Sequence, residues 1–104
     1  MTADRRPRLA VTLGDPRGIG PEIVTRALAD ERVRASCVAH VIGPEGAGAE
    51  VHETLGAWRP AMGEAAAGRF AGQAVDRAAR LALGGRVDGI VTAPLDKHAL
   101  RAGG

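Results

Sequence analysis

Residues Leu9–Glu22 read LAVTLGDPRGIGPE, and this stretch indicates the fold class most clearly. The apolar run Leu9–Leu13 is typical of a buried strand, and Gly14-Asp15-Pro16 ends it. Pro21 suits the first turn of a helix, because its missing N–H would have no partner there. Glu22 places negative charge at the positive end of that helix. The stretch therefore predicts a strand, a glycine-bounded turn and a helix.

The remaining chain alternates between apolar runs and stretches with helical spacing. Further strands are predicted at 38–42 and 87–92, and helices at 21–28, 47–55, 64–83 and 95–102. Strands that alternate with helices imply parallel pairing through crossover connections, and such strands are buried on both faces. The predicted fold is a single α/β domain over residues 1–104, with three layers and a mostly parallel sheet built from βαβ units.

Composition excludes several classes of protein. The chain has 104 residues, of which 45% are hydrophobic and 25% charged, as in an ordinary globular domain. No apolar run reaches the ~18 residues that span a bilayer, and the start lacks the apolar stretch of a signal peptide. One cysteine, Cys37, excludes an internal disulfide framework. The net charge is only +2 and the arginines are spread out, so neither nucleic acid nor a membrane is an expected partner. The expected location is cytoplasmic.

The first loop, Gly14–Gly20, lies where ligands bind in parallel α/β sheets, beyond the carboxyl end of a strand. Gly18 and Gly20 would let the main chain come close to a ligand, and the following helix N-terminus suits a phosphate or carboxylate. Arg17 could donate to the same anion, and Asp15 is the carboxylate of the turn. The alternative is a structural turn, in which the glycines make the bend and Asp15 accepts backbone N–H groups. The spacing fits neither the dinucleotide-binding glycine pattern nor a P-loop.

The third loop, Thr92–Lys97, is expected at the same edge of the sheet. Lys97 is the only lysine in the chain, and its compact ammonium can pair with phosphate; the alternative is a solvated side chain in the first turn of a helix. Thr92 is expected to cap that helix or to donate its hydroxyl to a ligand, with capping favoured. No residue is assigned a catalytic role. The candidate substrate- or cofactor-binding residues are Asp15, Arg17, Gly18, Gly20, Thr92 and Lys97.

The three histidines are interpreted as structural or solvated side chains. His40 lies in the second predicted strand, His52 on a face of the predicted helix 47–55, and His98 next to Lys97. None has a partner at the i, i+4 spacing of a helical metal site, so no metal ligand is assigned. Cys37 has no evident activating base.

Two motifs resemble one family, in the same order along the chain. Residues Leu9–Asp30, with GDPRGIGPE, closely resemble the N-terminus of the 4-hydroxythreonine-4-phosphate dehydrogenase family of pyridoxal-phosphate biosynthesis. Residues Ala67–Gly103, with GRVDGIVTAPLDK, resemble a second segment of that family. A shorter form of the first motif occurs in isocitrate and isopropylmalate dehydrogenases. The resemblance therefore implies part of the isocitrate/isopropylmalate dehydrogenase-like fold.

The resemblance implies an NAD-dependent, dimeric enzyme with a divalent metal (zinc, magnesium or cobalt) and a small phosphorylated substrate. Such an enzyme oxidises the secondary alcohol of 4-hydroxythreonine 4-phosphate, and the resulting β-keto acid loses its carboxylate. Family members are longer and have two lobes, and they hold more strands between the second strand and the long helix. The segment Gly43–Glu64 is too short for those strands. The family's metal-binding histidines and its phosphate-binding lysine, asparagine and arginine have no counterparts here, so an N-terminal portion, internally shortened and inactive alone, is expected.

Two alternatives stay open. One is a non-catalytic α/β module that binds an anion or a nucleotide at the Gly18/Gly20 turn. The other is part of a related phosphothreonate dehydrogenase, because the residues that would separate the two substrates are not in this chain. Three parallel strands leave two open sheet edges, which favours a homo-oligomer or aggregation.

Overall fold

The computed structural model describes residues 5–104, and its four strands all run parallel, in the order β3-β2-β1-β4. In chain order the elements are β1 (Arg8–Thr12), α1 (Gly20–Ala29), α2 (Glu31–Ser36), β2 (Val38–Glu45), β3 (Glu53–Ala57), α3 (Gly63–Leu83), β4 (Gly89–Thr92) and α4 (Lys97–Ala102). A 3-10 turn precedes α3. The predicted α/β class with a parallel sheet is confirmed.

Side chains of β1 alternate between the two faces of the sheet and separate two helical layers. On one face, Ala10 packs in a buried cluster with Ala74 and Ala78 of α3. On the other face, Val11 packs in a cluster with Val24 of α1. The sheet is thus the middle of three layers, and the small alanine side chains let α3 lie close to it.

Helix α1 has the predicted residues in its first turn, whereas α2 was not predicted. Pro21 stands in the first turn of α1 with Glu22 beside it. Asp30 then ends α1 and caps α2, because its side chain accepts the Arg32 N–H at 2.8 Å. The sequence of α2 is ERVRAS, in which Val33 is the only large apolar residue, so no apolar stripe could have indicated this helix.

The prediction of a helix at 47–55 is wrong, and so is the placement of His52 on that helix. Residues 46–52 form a connection without a helix, and β3 follows and pairs with β2. Gly48, in the middle of the predicted helix, has a φ of +92°, which lies far from the right-handed helical region. The spacing of Val51 and Leu55 fits one helix face, but it also fits one side of an extended chain. The sheet therefore has four strands, and the segment Gly43–Glu64 holds one of them.

The last elements start later than predicted. The long helix is confirmed as α3, but β4 is limited to Gly89–Thr92, and α4 begins at Lys97 rather than Leu95. Asp96 sets this start, because its backbone is extended, with a ψ of 116°, and its side chain accepts N–H groups of the first turn as the N-cap of α4. Within residues 5–104, no helix combines the length and apolar character that a membrane span requires.

Candidate functional site

The first and third loops meet at the carboxyl edge of the sheet. They leave β1 and β4, which are neighbouring parallel strands. The Ala93 N–H donates to the Thr12 carbonyl at 3.1 Å, and the Asp15 N–H donates to the Pro94 carbonyl at 3.4 Å. Two segments that are far apart in the sequence therefore form one surface, which we call the rim and define as residues 14–20 and 93–98.

Two glycines make this close contact possible. Gly14 has a φ of +73°, and a Cβ on it would lie 2.2 Å from the Pro94 carbonyl oxygen. A Cβ on Gly20 would lie 2.0 Å from the Leu13 carbonyl oxygen, so the packing of α1 against β1 already requires glycine there. Gly18 is exposed, and a Cβ on it would meet no atom closer than 3.5 Å. Of the two predicted ligand-approach glycines, only Gly18 has no packing reason to be glycine.

Arg17 bridges the two loops of the rim. Its Nη2 donates to Asp15 Oδ2 at 2.7 Å and to Asp96 Oδ2 at 3.3 Å. Its Nε also donates to Asp15 Oδ1 at 3.1 Å, and its backbone N–H donates to the same oxygen at 2.8 Å. Asp15 thus has the structural role considered for it, while Arg17 is already committed to carboxylates.

Asp15 is buried, and only 7% of its side chain is exposed. The side-chain hydrogen bond from Arg17 lowers the pKa of this carboxyl below its ordinary value, and burial opposes that effect. An ionised carboxylate in such a place needs a paired, hydrogen-bonded cation. Arg17 therefore maintains the ionised form of Asp15.

Asp96 belongs to the rim but was not among the predicted site residues. It caps α4 by accepting the N–H groups of His98 at 2.8 Å and Ala99 at 3.3 Å. An aspartate immediately before a helix is a typical N-cap, and this signal was present in the sequence. Its second partner, Arg17, depends on the pairing of β1 with β4 and could not be deduced from local sequence.

Thr92 does not cap α4, so that prediction is wrong. It is the last residue of β4 and lies opposite Thr12 of β1 in the register. Lys97 is the first residue of α4, is exposed, and forms no ion pair with any residue of 5–104. Thr12 is fully buried, and its hydroxyl has no hydrogen-bond partner in the described part of the chain.

His98 connects the rim to α3. Its Nδ1 is hydrogen-bonded to the Glu64 carboxylate near the start of α3. This hydrogen bond raises the pKa of His98 above its ordinary value. His98 is therefore a structural ion-pair partner, in agreement with the prediction.

His40 and His52 lie outside the rim. The Nε2 of His40 is hydrogen-bonded to Glu53 at 3.1 Å, and Glu53 also accepts from Arg77 at 2.5 Å. The His52 ring stacks on the His40 ring at a centroid distance of 6.0 Å. Both histidines contribute to the packing of β2 and β3.

The rim does not fit the divalent metal that the family resemblance implies. Among residues 5–104, no three His, Cys, Asp or Glu side chains come together. Asp15 and Asp96 are already bridged by the Arg17 guanidinium. No step of a reaction can therefore be assigned to a metal held by these residues.

An anionic group fits the rim better. The first N–H groups of α1 lack helical partners and carry partial positive charge. The N–H groups of Arg17 Nη1 make no hydrogen bond within the described chain, because Nε and Nη2 serve the two carboxylates. Lys97 adds an exposed cation. These donors suit a phosphate or the pyrophosphate of a dinucleotide.

Comparison with known proteins gives a consistent set of similarities, although no protein-family model matches the chain. The chain is 33% identical to the 4-hydroxythreonine-4-phosphate dehydrogenase of Geobacter metallireducens, over 95% of its own length and 39% of that protein. It is also 33% identical to the D-threonate 4-phosphate dehydrogenase of Cupriavidus necator, over 98% of its own length and 40% of that protein. The chain therefore spans about two fifths of the length of the curated relatives it matches.

Solved structures show the same likeness. The chain superposes on a 4-hydroxythreonine-4-phosphate dehydrogenase from Burkholderia phymatum with a TM-score of 0.79 and 30% identity, over 97% of its own length and 40% of that chain.

The alignment with the Cupriavidus necator protein runs over 133 residues, more than the 104 of this chain. That relative thus carries residues inside the matched region that are missing here, and the predicted internal shortening is confirmed.

Proposed function

This chain is a relative of the 4-hydroxythreonine-4-phosphate dehydrogenases, matched over about two fifths of their length, and we propose that its rim holds an anionic group of the substrate or cofactor of such an enzyme. The reaction is the NAD-dependent oxidation of a small phosphorylated hydroxy-acid, followed by loss of carboxylate from the β-keto acid. One observation carries the proposal: Arg17 joins the two family-like motifs into one surface and still has free donors.

The chain's own residues bind and orient in this proposal. Arg17 keeps Asp15 ionised through Nε and Nη2 and offers Nη1 to the anion. Lys97, exposed at the start of α4, supplies a second cation. The exposed Gly18 leaves room for the anion to come near the main chain. Bound NAD would supply the hydride acceptor. A divalent metal held by three or more side chains would need at least one ligand from outside residues 5–104.

The identity of the substrate is open between two phosphorylated compounds, because relatives named for each match equally well. We propose 4-hydroxythreonine 4-phosphate first, with D-threonate 4-phosphate as the alternative. We also propose a homodimer in the cytoplasm, since a parallel sheet with two open edges favours association. A non-catalytic anion-binding module is the second candidate function, favoured by the lack of three clustered metal-ligand side chains in the described range.

Two measurements test the proposal. Formation of NADH is followed with each substrate, with NAD and with zinc, magnesium or cobalt, at high protein concentration. NADH formation supports the dehydrogenase, whereas its absence together with anion binding supports the non-catalytic module.

Anion binding is measured by titration with inorganic phosphate and with NAD, for which we expect dissociation constants of about 1 mM. Lys97→Ala and Gly18→Val should each weaken binding about fivefold. Arg69→Ala is the matched control, because Arg69 is an exposed cation on α3 away from the rim. Equal titration curves for the wild type and the rim variants would remove the rim from consideration.

A further inference from the structure

The connection between β2 and β3 is unusually short for parallel strands. β2 ends at Glu45 and β3 begins at Glu53, and the residues between them form no helix. Parallel neighbours normally need a dozen or more connecting residues, usually including a helix that covers the sheet. Here Ala47, Ala49 and Val51 pack against the α1 side of the sheet instead. A helical layer is therefore missing on this part of the α1 face.

A groove of about 510 Å³ lies where that layer is missing. We call it the α1–α2 groove. Its walls come from α1, α2, the start of β2 and the connection, and its size is within the range of built binding sites. Apolar side chains make up most of its lining: Val24, Leu28, Ala29, Val33, Val38, Ala39 and Ala49.

The polar residues of the groove give it a charge preference. Among residues 5–104, two arginines, Arg6 and Arg34, and one carboxylate, Glu50, line the groove. His52 also lines it, and its Nδ1 accepts the Val41 N–H at 2.9 Å. The neutral His52 ring therefore carries its proton on Nε2, which is a hydrogen-bond donor. The described lining of the groove thus combines an apolar floor with the Arg34 cation and a hydrogen-bond donor on His52.

We propose that the α1–α2 groove binds an amphipathic helix of a partner protein, with an apolar stripe facing the sheet and acidic residues on its flank. A helix suits the groove because the connection leaves the place of a crossover helix open, and an apolar helix face in an apolar groove is a common recognition mode. This proposal does not depend on the dehydrogenase activity.

A second copy of this chain fits the groove less well. The long helices α1 and α3 both have their apolar faces packed against their own sheet. The shorter α2 buries no residue and α4 buries only Ala99. Within residues 5–104, no helix has an apolar stripe left over to fill the groove of a neighbour.

The test uses the full 104-residue chain and two synthetic helical peptides of about four turns. Both carry leucines at positions i, i+3, i+4 and i+7, and their flanks carry glutamates in one peptide and lysines in the other. Binding is measured by fluorescence anisotropy of the labelled peptides. Protection is measured through the alkylation rate of Cys37, which lines the groove and is the only cysteine.

We expect the acidic peptide to bind about tenfold more tightly than the basic one and to slow Cys37 alkylation about fivefold at saturation. Arg34→Glu should weaken binding of the acidic peptide about fivefold. Arg69→Glu on α3 makes the same charge change on an exposed helical arginine outside the groove, so binding should stay within about twofold. Far-UV circular dichroism confirms that both variants keep their fold.

Four outcomes would overturn the proposal. One is an equal loss of binding in Arg34→Glu and Arg69→Glu, which would indicate a nonspecific charge effect. Another is unchanged Cys37 alkylation at saturating peptide. The third is protection of Cys37 that rises with protein concentration alone, which would assign the groove to a second copy. A short fatty acid that protects Cys37 as well as the acidic peptide would likewise replace the helix with a small apolar carboxylate.

Discussion

At the scale of single residues, the rim depends on a few backbone positions and one guanidinium. Arg17 contacts Asp96 across 79 residues of sequence, and it keeps the buried Asp15 ionised. Gly14 lets the two loops come close enough for this contact. The rim is consequently sensitive to changes that would be harmless elsewhere on the surface.

Gly14 and Gly85 form a matched pair for testing this sensitivity. Both have a φ of +73°, but a Cβ on Gly14 would lie 2.2 Å from the Pro94 carbonyl oxygen, whereas one on Gly85 meets nothing within 4 Å. Gly85→Ala should cost about 1 kcal/mol from the left-handed conformation alone. Gly14→Ala should cost about 3 kcal/mol or more. Urea unfolding of both variants provides the measurement, and equal midpoints would show that the loops do not press on Gly14.

At the scale of elements, α4 is held to α3 by close backbone packing and by one ion pair. A Cβ on Gly68 of α3 would lie 1.7 Å from the Ala99 carbonyl oxygen of α4, so the two helices touch without an intervening side chain. The hydrogen-bonded pair of Glu64 on α3 and His98 on α4 is the second contact between the two helices. Since α4 carries Lys97 and its cap Asp96, the packing of α4 on α3 positions one half of the rim.

Gly68 and Gly72, one turn apart on α3, should respond differently to alanine. At Gly72 a Cβ would approach only the flexible end of Leu100, at 3.1 Å. Gly72→Ala should therefore change stability by no more than about 1 kcal/mol, because the gain in helix propensity offsets the crowding. Gly68→Ala should cost about 3 kcal/mol, because backbone blocks the new methyl group. Thermal unfolding compares the two, and a mild effect at Gly68 would contradict the described helix contact.

The attachment of α4 should depend on pH through His98. The hydrogen bond with Glu64 raises the pKa of His98 above its ordinary 6.5. The stabilisation is therefore fully present below about pH 6.5 and is lost as pH rises through the higher pKa of the folded state. The free energy of unfolding, measured from pH 6 to 9, should contain this pH-dependent contribution in the wild type. The contribution should be lost in His98→Gln, and equally in Glu64→Gln. His52→Gln, outside this pair, serves as the control, and a pH dependence retained in both His98→Gln and Glu64→Gln would disprove the link.

At the scale of the whole molecule, the sheet ends at two open edges, β3 and β4. On β4, Ile90 and Val91 are 41% and 47% exposed, and no charge lies within the strand. Edge strands of this kind pair with other chains unless charge or proline blocks them. We therefore expect the predicted association of the chain to occur at the exposed edge of β4.

The substitution Val91→Lys tests whether the chain associates through the edge of β4. A lysine in the edge strand should reduce association, because its charge must be desolvated when another strand pairs with β4. Light scattering and sedimentation at several concentrations should show a shift toward the monomer. Leu83→Lys is the control, since Leu83 is 89% exposed at the end of α3 and should leave the association unchanged. A monomeric wild type, or equal behaviour of both variants, would contradict the role of β4.

Local sequence determined the parallel α/β class, the strand–turn–helix at residues 9–22, the long α3 and the meeting of the two loops. These follow from apolar runs, proline and glycine signals, and the rule that parallel strands bring their carboxyl ends to one edge. Tertiary structure alone decided that residues 47–55 become a connection and β3, because the spacing of Val51 and Leu55 fits both helix and strand until β2 offers its backbone. It also decided that Arg17 pairs with Asp96, because that contact depends on the register between β1 and β4, and no local pattern encodes the position of a partner strand.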